Sequence, residues 1–538
     1  MKKINKILNL NIGLILFILI LSLGINNEAL GVNEIVSQEI TVSPPPTLTD
    51  LTPHSQILIE SNGAFVTYGF EGDGSESNPY RIENLNISFT GETAITIRFT
   101  TVYFVIQNCF IDAKTTGIIL TSVAPGTAII EDNVIMGHNY NGISLYNCPS
   151  TVIENNTISD CVMKGINLHL SHSSNITNNR SYNCGYFVLE DSKADYLSYS
   201  VENNWVNNAP LGWIVSAYNT GFVDTLFGQI MFINCTNVFL YEETITNASV
   251  GFFAAFSTDI RLEDCNFSNH SDTGILLYHS TGSSINSTIC DNNGHSILIE
   301  NSVDTTISYC QTNNNKWGVY GMLSSLMDIR NNVITNNSFE GIVMEQSFDI
   351  TIESNELMFN SNEHIIFSDV FDSSIIDNYF FDGENYGLYF ETCDNLNITL
   401  NTLYKNQIGI YLYDVDNTHV TYNLFQENAQ EAIYMDISCS FNYIYLNTFL
   451  DNNGGLTQAL DNGNSNLWYD DVAQKGNWWS DYLDTSNYSI AGSAGEYDLY
   501  PLNEQPVPSI NEISTGLPLI FIILIPLSIP IISILKKK

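Results

Sequence analysis

The stretch GISLYNCPSTVIENNTI at 142–158 carries the phrase on which most of the chain is built. It holds a Gly-Ile strand, a turn, a second short strand, and an Asn that opens a third. The phrase returns as GIVMEQSFDITIESNEL at 341–357 and as GIYLYDVDNTHVTYNLF at 409–425. Its Asn falls at Asn133, Asn156, Asn179 and Asn204, then at Asn332, Asn355, Asn378, Asn401, Asn423 and Asn447, at intervals of roughly 22 to 25 residues. Cys109 begins the series, and Glu243, Cys265, Ser287 and Cys310 fill the rungs between. One interval breaks the period: Asn204 to Glu243 holds about 16 extra residues, expected to protrude as a loop or lateral element without breaking the stack.

A period of this length means stacked repeats. The units are rich in β-branched and aromatic residues, punctuated by Asn, Asp, Ser and Gly, and helical spacing is not sustained in the body. Three strands of four or five residues with three turns use up one unit. The expectation is an all-β, three-sided parallel β-helix of about 15 coils, each rising by one strand spacing of roughly 4.8 Å. A leucine-rich repeat of similar length needs a helical segment and an L-x-x-L-x-L pattern, which the chain lacks.

Charge is one-sided. The chain has 58 acidic against 17 basic residues, a net charge of −41, and Lys2, Lys3, Lys6 and Lys536 to Lys538 are terminal. Such a body repels a phosphate backbone, so nucleic acid is disfavoured as a partner. Cations, neutral glycans, basic partners and plain solubility remain open readings.

The lysines at the start precede an apolar run from Ile12 to Leu23 and the small-x-small site Ala29-Leu30-Gly31. This reads as a secretory signal over 1–31, with an uncleaved anchor as the alternative. At the other end, the mostly apolar, uncharged residues 517–535 suit a transmembrane helix, with 536–538 as a cytoplasmic tail. Pro518, Pro526 and Pro530 are tolerated in such a helix. Lysines flank both segments on the same side, which places the acidic body outside the cell, anchored in the cytoplasmic membrane. The remaining segments read as a linker at 32–53, an N-terminal cap with the first coil at 54–103, the coils at 104–450, a C-terminal cap at 451–503 and a second linker at 504–516.

Ten cysteines in an exported chain invite a disulfide framework. The repeat argues for buried thiols instead. Cys109, Cys265 and Cys310 stand on the Asn rung, and Cys148, Cys235, Cys393 and Cys439 share a rung eight residues earlier. Only Cys161 and Cys184 share a rung on adjacent coils, where a bond is geometrically allowed. No CxxC or Cys/His cluster suggests zinc.

The Asn rung reads as scaffold. An inward Asn at a turn bonds backbone of its own coil and the amides of its neighbours, satisfying groups that burial would otherwise leave unpaired. The strand after the Gly carries the candidate chemistry. Ile143/Leu145, Ile275/Leu277 and Ile410/Leu412 point inward, so the intervening positions point outward. One outward column reads Tyr320, Val343, Phe367, Tyr389, Tyr411 and Tyr434. The neighbouring one reads Glu300, Met322, Glu345, Asp369, Glu391, Tyr413 and Asp436. The aromatic residues Tyr320, Phe367, Tyr389, Tyr411 and Tyr434 are candidate platforms for a sugar chain, whose residues recur on a scale similar to the coils. Alternatively, like residues merely stack, as they do in solenoids. Glu345, Asp369 and Glu391 could hold calcium, since stacked carboxylates repel unless a cation or proton intervenes. A third reading makes them a glycosidase pair. A lyase would need a clustered base, and Lys114, Lys164, Arg180, Lys193, Arg261, Lys316, Arg330 and Lys405 form no cluster in sequence. His169 and His172 read as a solvated turn.

The coils resemble the right-handed β-helix repeats of NosD-type and CASH-domain proteins, the carbohydrate-binding proteins and sugar hydrolases. The opening His54-Ser55-Gln56-Ile57 with GFEGDGSESNPYRIENLNI at 69–87 looks like the N-terminal cap of that group. FGQIMFINCTNVFL at 227–240 looks like one of its internal phrases, and LWYDDVAQKGNWWSDY at 467–482 with EYDLYPL at 496–502 like its terminal cap. The acidic DGDGIGD-like loop frequent in such caps is missing from 483–495. The resemblance covers about 54 to 502 and implies a right-handed parallel β-helix with capped ends. For function it implies carbohydrate binding, sugar hydrolysis or an accessory role at copper sites. The chain shows no Met/His cluster for copper and no recognisable catalytic Asp pair. The leading expectation is an exported, membrane-anchored protein that binds glycans or surface polymers. A polysaccharide-active enzyme and a metal-site accessory are the alternatives.

Overall fold

The computed structural model describes residues 51–507 except Thr90, Glu92, Asp484 and Thr485. The expected signal at 1–31, most of the linker at 32–53, and the expected transmembrane helix and tail at 517–538 lie outside the described residues. Among the described residues no helix is long and apolar enough to cross a membrane.

The body is a parallel β-helix. Strand Ile143–Tyr146 pairs with Thr116–Thr121 on one side and Ile166–His169 on the other, so that Ile118, Ile143 and Ile166 stand in one line. The alternation of the sequence becomes an alternation of faces. Ile143, Leu145, Ile275, Leu277, Ile410 and Leu412 are fully buried. Such a cylinder needs a sharp bend at each corner, and many corner residues have positive φ, among them Asn155 (54°), Asn178 (58°), Asn331 (57°) and Asp377 (55°). Asn and Asp tolerate this region better than other non-glycine residues, which explains their abundance between the strands.

The Asn rung lies inside that corner. Asn332, Asn355, Asn378, Asn401, Asn423 and Asn447 each donate through the side-chain amide to the side-chain oxygen of the next coil's Asn, the last to Asn477, over 2.9–3.0 Å. In the rung between Cys265 and Cys310 the residue is Thr288 and not Ser287. Register pairs Asn266 with Ile289 and Ile289 with Gln311, while Ser287 is the positive-φ corner residue. Two further ladders accompany the Asn rung, the first on the rung read from Cys148, Cys235, Cys393 and Cys439 and the second not read from the sequence. One runs through Ser257, Ser280, Ser302, Ser324 and Ser347, whose hydroxyls accept backbone N–H groups of the preceding coil. The other runs through Asn293, Asn315, Asn337 and Asn360 and resumes at Asn406, Asn428 and Asn452.

The extra residues between Asn204 and Glu243 are not a lateral loop. Ala209–Val215 turns back antiparallel on Trp205–Val206 and then pairs in parallel with Gln229–Ile233. Tyr218–Val223 pairs with Thr236–Tyr241. The segment is thus the first, shortened coil of a second stack. The first stack ends at Tyr186–Leu189, which pairs on one side only. Its open edge is tied to the second stack by side chains: Gln229 accepts from the Tyr186 N–H at 2.8 Å and donates to its carbonyl at 2.6 Å, and Ser249 accepts from Gly185 N–H at 2.8 Å. Unpaired edge groups are thereby satisfied without a continuous sheet.

Both ends are closed by apolar side chains. Phe65, from helix Asn62–Tyr68, lies against Tyr80 at 4.9 Å and Phe104 at 5.4 Å. At the other end Phe449, Trp479 and Tyr488 stack in series at 4.0 Å, beside the fully buried Trp468. The indole N–H groups of Trp468 and Trp479 donate to Asp461 and Asp498, each at 3.0 Å, as buried indoles require.

Candidate functional site

The strands His295–Glu300, Trp317–Met322, Ile342–Glu353, Ile365–Phe371, Tyr386–Asp394, Ile408–Asp416 and Ile433–Met435 form one wall of the second stack. Their register fixes two outward columns. The first is Leu298, Tyr320, Val343, Ile366, Tyr389, Tyr411, Tyr434 and Leu460. The second is Glu300, Met322, Glu345, Ser368, Glu391 and Tyr413.

Tyr320, Tyr389, Tyr411 and Tyr434 therefore stand where the alternation placed them, half-buried on the wall. Phe367 and Asp369 do not. Phe367 is fully buried, against Phe390 at 5.4 Å, and Ile366 takes the outward position. Asp369 is a positive-φ corner residue, and Ser368 takes its place in the second column. This coil carries His364 where its neighbours carry Gly341 and Gly387. Without a glycine to count from, the reading slips by one residue, and one residue exchanges the faces. Glu345 and Glu391 are consequently two coils apart, roughly 10 Å by strand spacing, with a serine between. Among the described residues no three His, Cys, Asp or Glu side chains converge as a metal site. The calcium triad read from the sequence is not assembled.

The tyrosines stack on one another. Tyr411 lies 4.7 Å from Tyr434 at 9° and 5.6 Å from Tyr389 at 28°. Tyr386 joins them, 4.9 Å from Tyr411 and 5.8 Å from Tyr389. Ring faces inside such a stack cover each other. What the row offers outward is ring edges and phenol hydroxyls beside carboxylates. Tyr389 donates to Glu391 at 3.4 Å, and partial burial together with that carboxylate pushes its phenol up to about 12. Burial, then Glu345, raises Tyr320 likewise. These phenols are neutral donors at physiological pH.

Towards the start of the wall the chemistry changes. Trp317 is sandwiched between His295 at 4.5 Å and Phe339 at 4.9 Å. Tyr320 meets His295 edge-on at 5.8 Å. Burial lowers the His295 pKa, and Nδ1 is a buried atom without a hydrogen-bond partner. Burial, then Asp272, raises Glu300. Asp272 is paired with Lys164 of the first stack at 2.9 Å, both side chains largely buried at 16% and 22% exposure. Glu363 is raised by burial, then by Glu340, against a 2.5 Å hydrogen bond from Asn385. Tyr386, His295, Trp317 and the Lys164–Asp272 pair were not read as site residues. Tyr386 immediately precedes the glycine of its coil, a signal present in the sequence. The ion pair links residues 108 apart across two stacks and had none.

A family profile described as "Periplasmic copper-binding protein (NosD)" matches residues 196–363 and 324–483, which together span more than half of the chain. A second, described as "Right handed beta helix region", matches residues 68–227. No curated protein matches the chain. Among solved structures, the periplasmic alginate epimerase AlgG is 11% identical over 73% of this chain and 84% of its own, with a TM-score of 0.32. The A-module of the Azotobacter vinelandii mannuronan C-5 epimerase AlgE4 is 13% identical over 67% and 86%, with a TM-score of 0.33. Likeness at this distance transfers no activity.

Proposed function

The chain belongs to the NosD family of right-handed β-helix proteins, and on that premise we propose that it is an exported surface protein that binds glycans through the tyrosine–carboxylate wall of its second stack. The observation that carries the reading is the in-register row Tyr389, Tyr411 and Tyr434, with Glu391 and Tyr413 beside it. The row presents hydrogen-bond donors and acceptors one strand spacing apart, roughly 4.8 Å. Because the rings stack on each other, recognition runs through phenol hydroxyls and carboxylates and not through ring faces. A glycan offers a matching run of hydroxyls that both donate and accept.

The family description names copper, and among the described residues no three His, Cys, Asp or Glu side chains converge to hold it. All ten thiols are free and buried. His138, His270 and His364 are buried apart from one another along the coils, in contact with backbone or with Asn360. Copper sites need converging imidazole, thiolate or thioether groups, so no step is assigned to the metal. Ser368 removes the adjacent carboxylates from the hydrolase reading, while Glu345 and Glu391, two coils apart, keep the wider separation of its inverting form.

The test is binding of an oligosaccharide array by the protein and by a Tyr389→Phe/Tyr411→Phe/Tyr434→Phe variant. Phenylalanine keeps the stack and removes only the hydroxyls. Affinity should fall at least tenfold with thermal stability nearly unchanged; equal affinity rejects the wall as the site. Surface placement is tested by protease added to intact cells, which should digest the body.

A further inference from the structure

The wall is blind at one end, and we propose that it binds the end of a neutral glycan chain and excludes chain interiors at that end. The inference rests on the glycan-binding reading above.

The first outward column does not begin at Tyr320. Register carries it back through Leu298, Leu276, Phe253 and Met231. In an isolated stack these side chains would face water as Tyr411 does. Met231 and Phe253 are instead fully buried, Leu276 is 4% exposed and Tyr278 9%. The cover is the terminal part of the first stack. Tyr196 lies 6.1 Å from Phe253 and 6.4 Å from Tyr278, and Phe187 lies 6.2 Å from Phe253. The cover is fixed along its rim, where Ser271 donates to the Met163 carbonyl at 2.7 Å and Lys164 pairs with Asp272 at 2.9 Å while lying over the Phe187 ring. A chain lying along the tyrosine row meets this wall at Tyr278.

The residues at the foot of the wall differ from the rest of the row. His295, Trp317, Glu300 and Tyr320 gather there, next to the Lys164–Asp272 pair. The Nδ1 of His295 is buried there without a hydrogen-bond partner. A chain end carries hydroxyls that an interior residue has lost to its glycosidic bond, so polar groups gathered at a blind end discriminate ends from interiors. From Leu298 to Tyr434 the row rises six strand spacings, roughly 29 Å, enough for about six sugar units. Glu300, Glu345 and Glu391 line it, and the whole chain carries a net charge of −41. Polyanionic chains are repelled from such a surface, and neutral sugars are not.

The probes are linear neutral β-1,4-linked gluco- and manno-oligosaccharides from dimer to decamer, each tethered to a bead through one end or the other, with a cyclic neutral glucan as the endless control. Affinity should climb with length to about six units and then level off. One tether orientation should bind and the other fail, and the cyclic glucan should fail. His295→Gln should weaken dimers and hexamers alike by tenfold or more, whereas Tyr434→Phe should weaken only the longer ligands. Equal binding in both orientations, equal loss in both, or binding of the cyclic glucan overturns the blind-end proposal while leaving glycan binding in place. No binding by any probe or by the corresponding polymers overturns both.

Discussion

His364 occupies space that Gly383 leaves: a Cβ on Gly383 would stand 3.0 Å from the His364 Nε2. The pair is a reciprocal exchange within the repeat. In the coils on either side a glycine opens the strand and the next coil's Asn fills the room beside it. A Cβ on Gly341 would stand 2.9 Å from Asn360 Nδ2, and one on Gly387 3.3 Å from Asn406 Nδ2. Where His364 replaces the glycine, Gly383 replaces the Asn. Gly383→Asn alone should overpack the coil and cost about 1–3 kcal/mol, and His364→Gly alone should leave a gap. The double variant restores the common pattern, so its loss should be smaller than the sum of the singles by at least about 1 kcal/mol in urea denaturation. Additive losses would mean that the two sites are independent.

The same histidine makes stability depend on pH. Burial lowers His364 from 6.5 to about 3 and His270 from 6.5 to about 4. Both are neutral in the fold and take up protons on unfolding below 6.5. Their contribution is therefore complete above pH 6.5 and is lost as pH falls towards 4, by up to about 1.4 kcal/mol per pH unit for each. Buried acids such as Asp498, raised to about 6 mainly by burial, act in the opposite sense. The informative quantity is thus the difference between wild type and His270→Gln across this window. It should narrow as pH falls, because the variant has no proton to take up. A constant difference would show that His270 takes up its proton in the fold as readily as in the unfolded chain.

The Asn rung predicts a graded cost. Asn378 accepts from the N–H and the side-chain amide of Asn355 and donates to the Ile352 carbonyl at 2.8 Å. Asn378→Ala leaves these groups buried and unpaired, at about 1–3 kcal/mol each. Asn378→Asp should be worse, since a carboxylate accepts but cannot donate and its charge is buried. Denaturation midpoints in the order wild type, Ala, Asp check this. An Asp variant as stable as wild type would mean that the rung is open to water.

The thiols should be silent in the native protein. Burial pushes Cys109, Cys310 and Cys393 up to about 12, far from the reactive thiolate. Iodoacetamide should label none of the ten in the native state and all ten after unfolding without reductant. Eight labels would identify a Cys161–Cys184 disulfide between adjacent coils, and fewer than eight would contradict the register.

The local part of this structure was legible in the sequence because a parallel coil repeats its own chemistry at every step. Inward Ile and Leu, the Asn rung and the outward tyrosines at 320, 389, 411 and 434 follow from period and alternation, since equivalent residues must lie one above another. The reading failed where the repeat loses its marker: Phe367 and Asp369 slipped by one residue because His364 had replaced a glycine, and Ser287 displaced Thr288 for want of an Asn.

What the tertiary structure alone decided is how the pieces meet. Residues 204–243 could be counted as an insertion but not seen as the start of a second stack, because strand pairing across that junction is a choice between edges and leaves no periodic trace. Outward alternation put Tyr389 and Tyr411 on a surface, but whether their faces meet water or each other depends on side-chain angles set by the coils above and below. The burial of Phe253 and Leu276 beneath Tyr196 and Phe187, and the pairing of Lys164 with Asp272, join residues with no common rung. These contacts come from one stack lying on the face of another, and a repeat describes only what lies along its own axis.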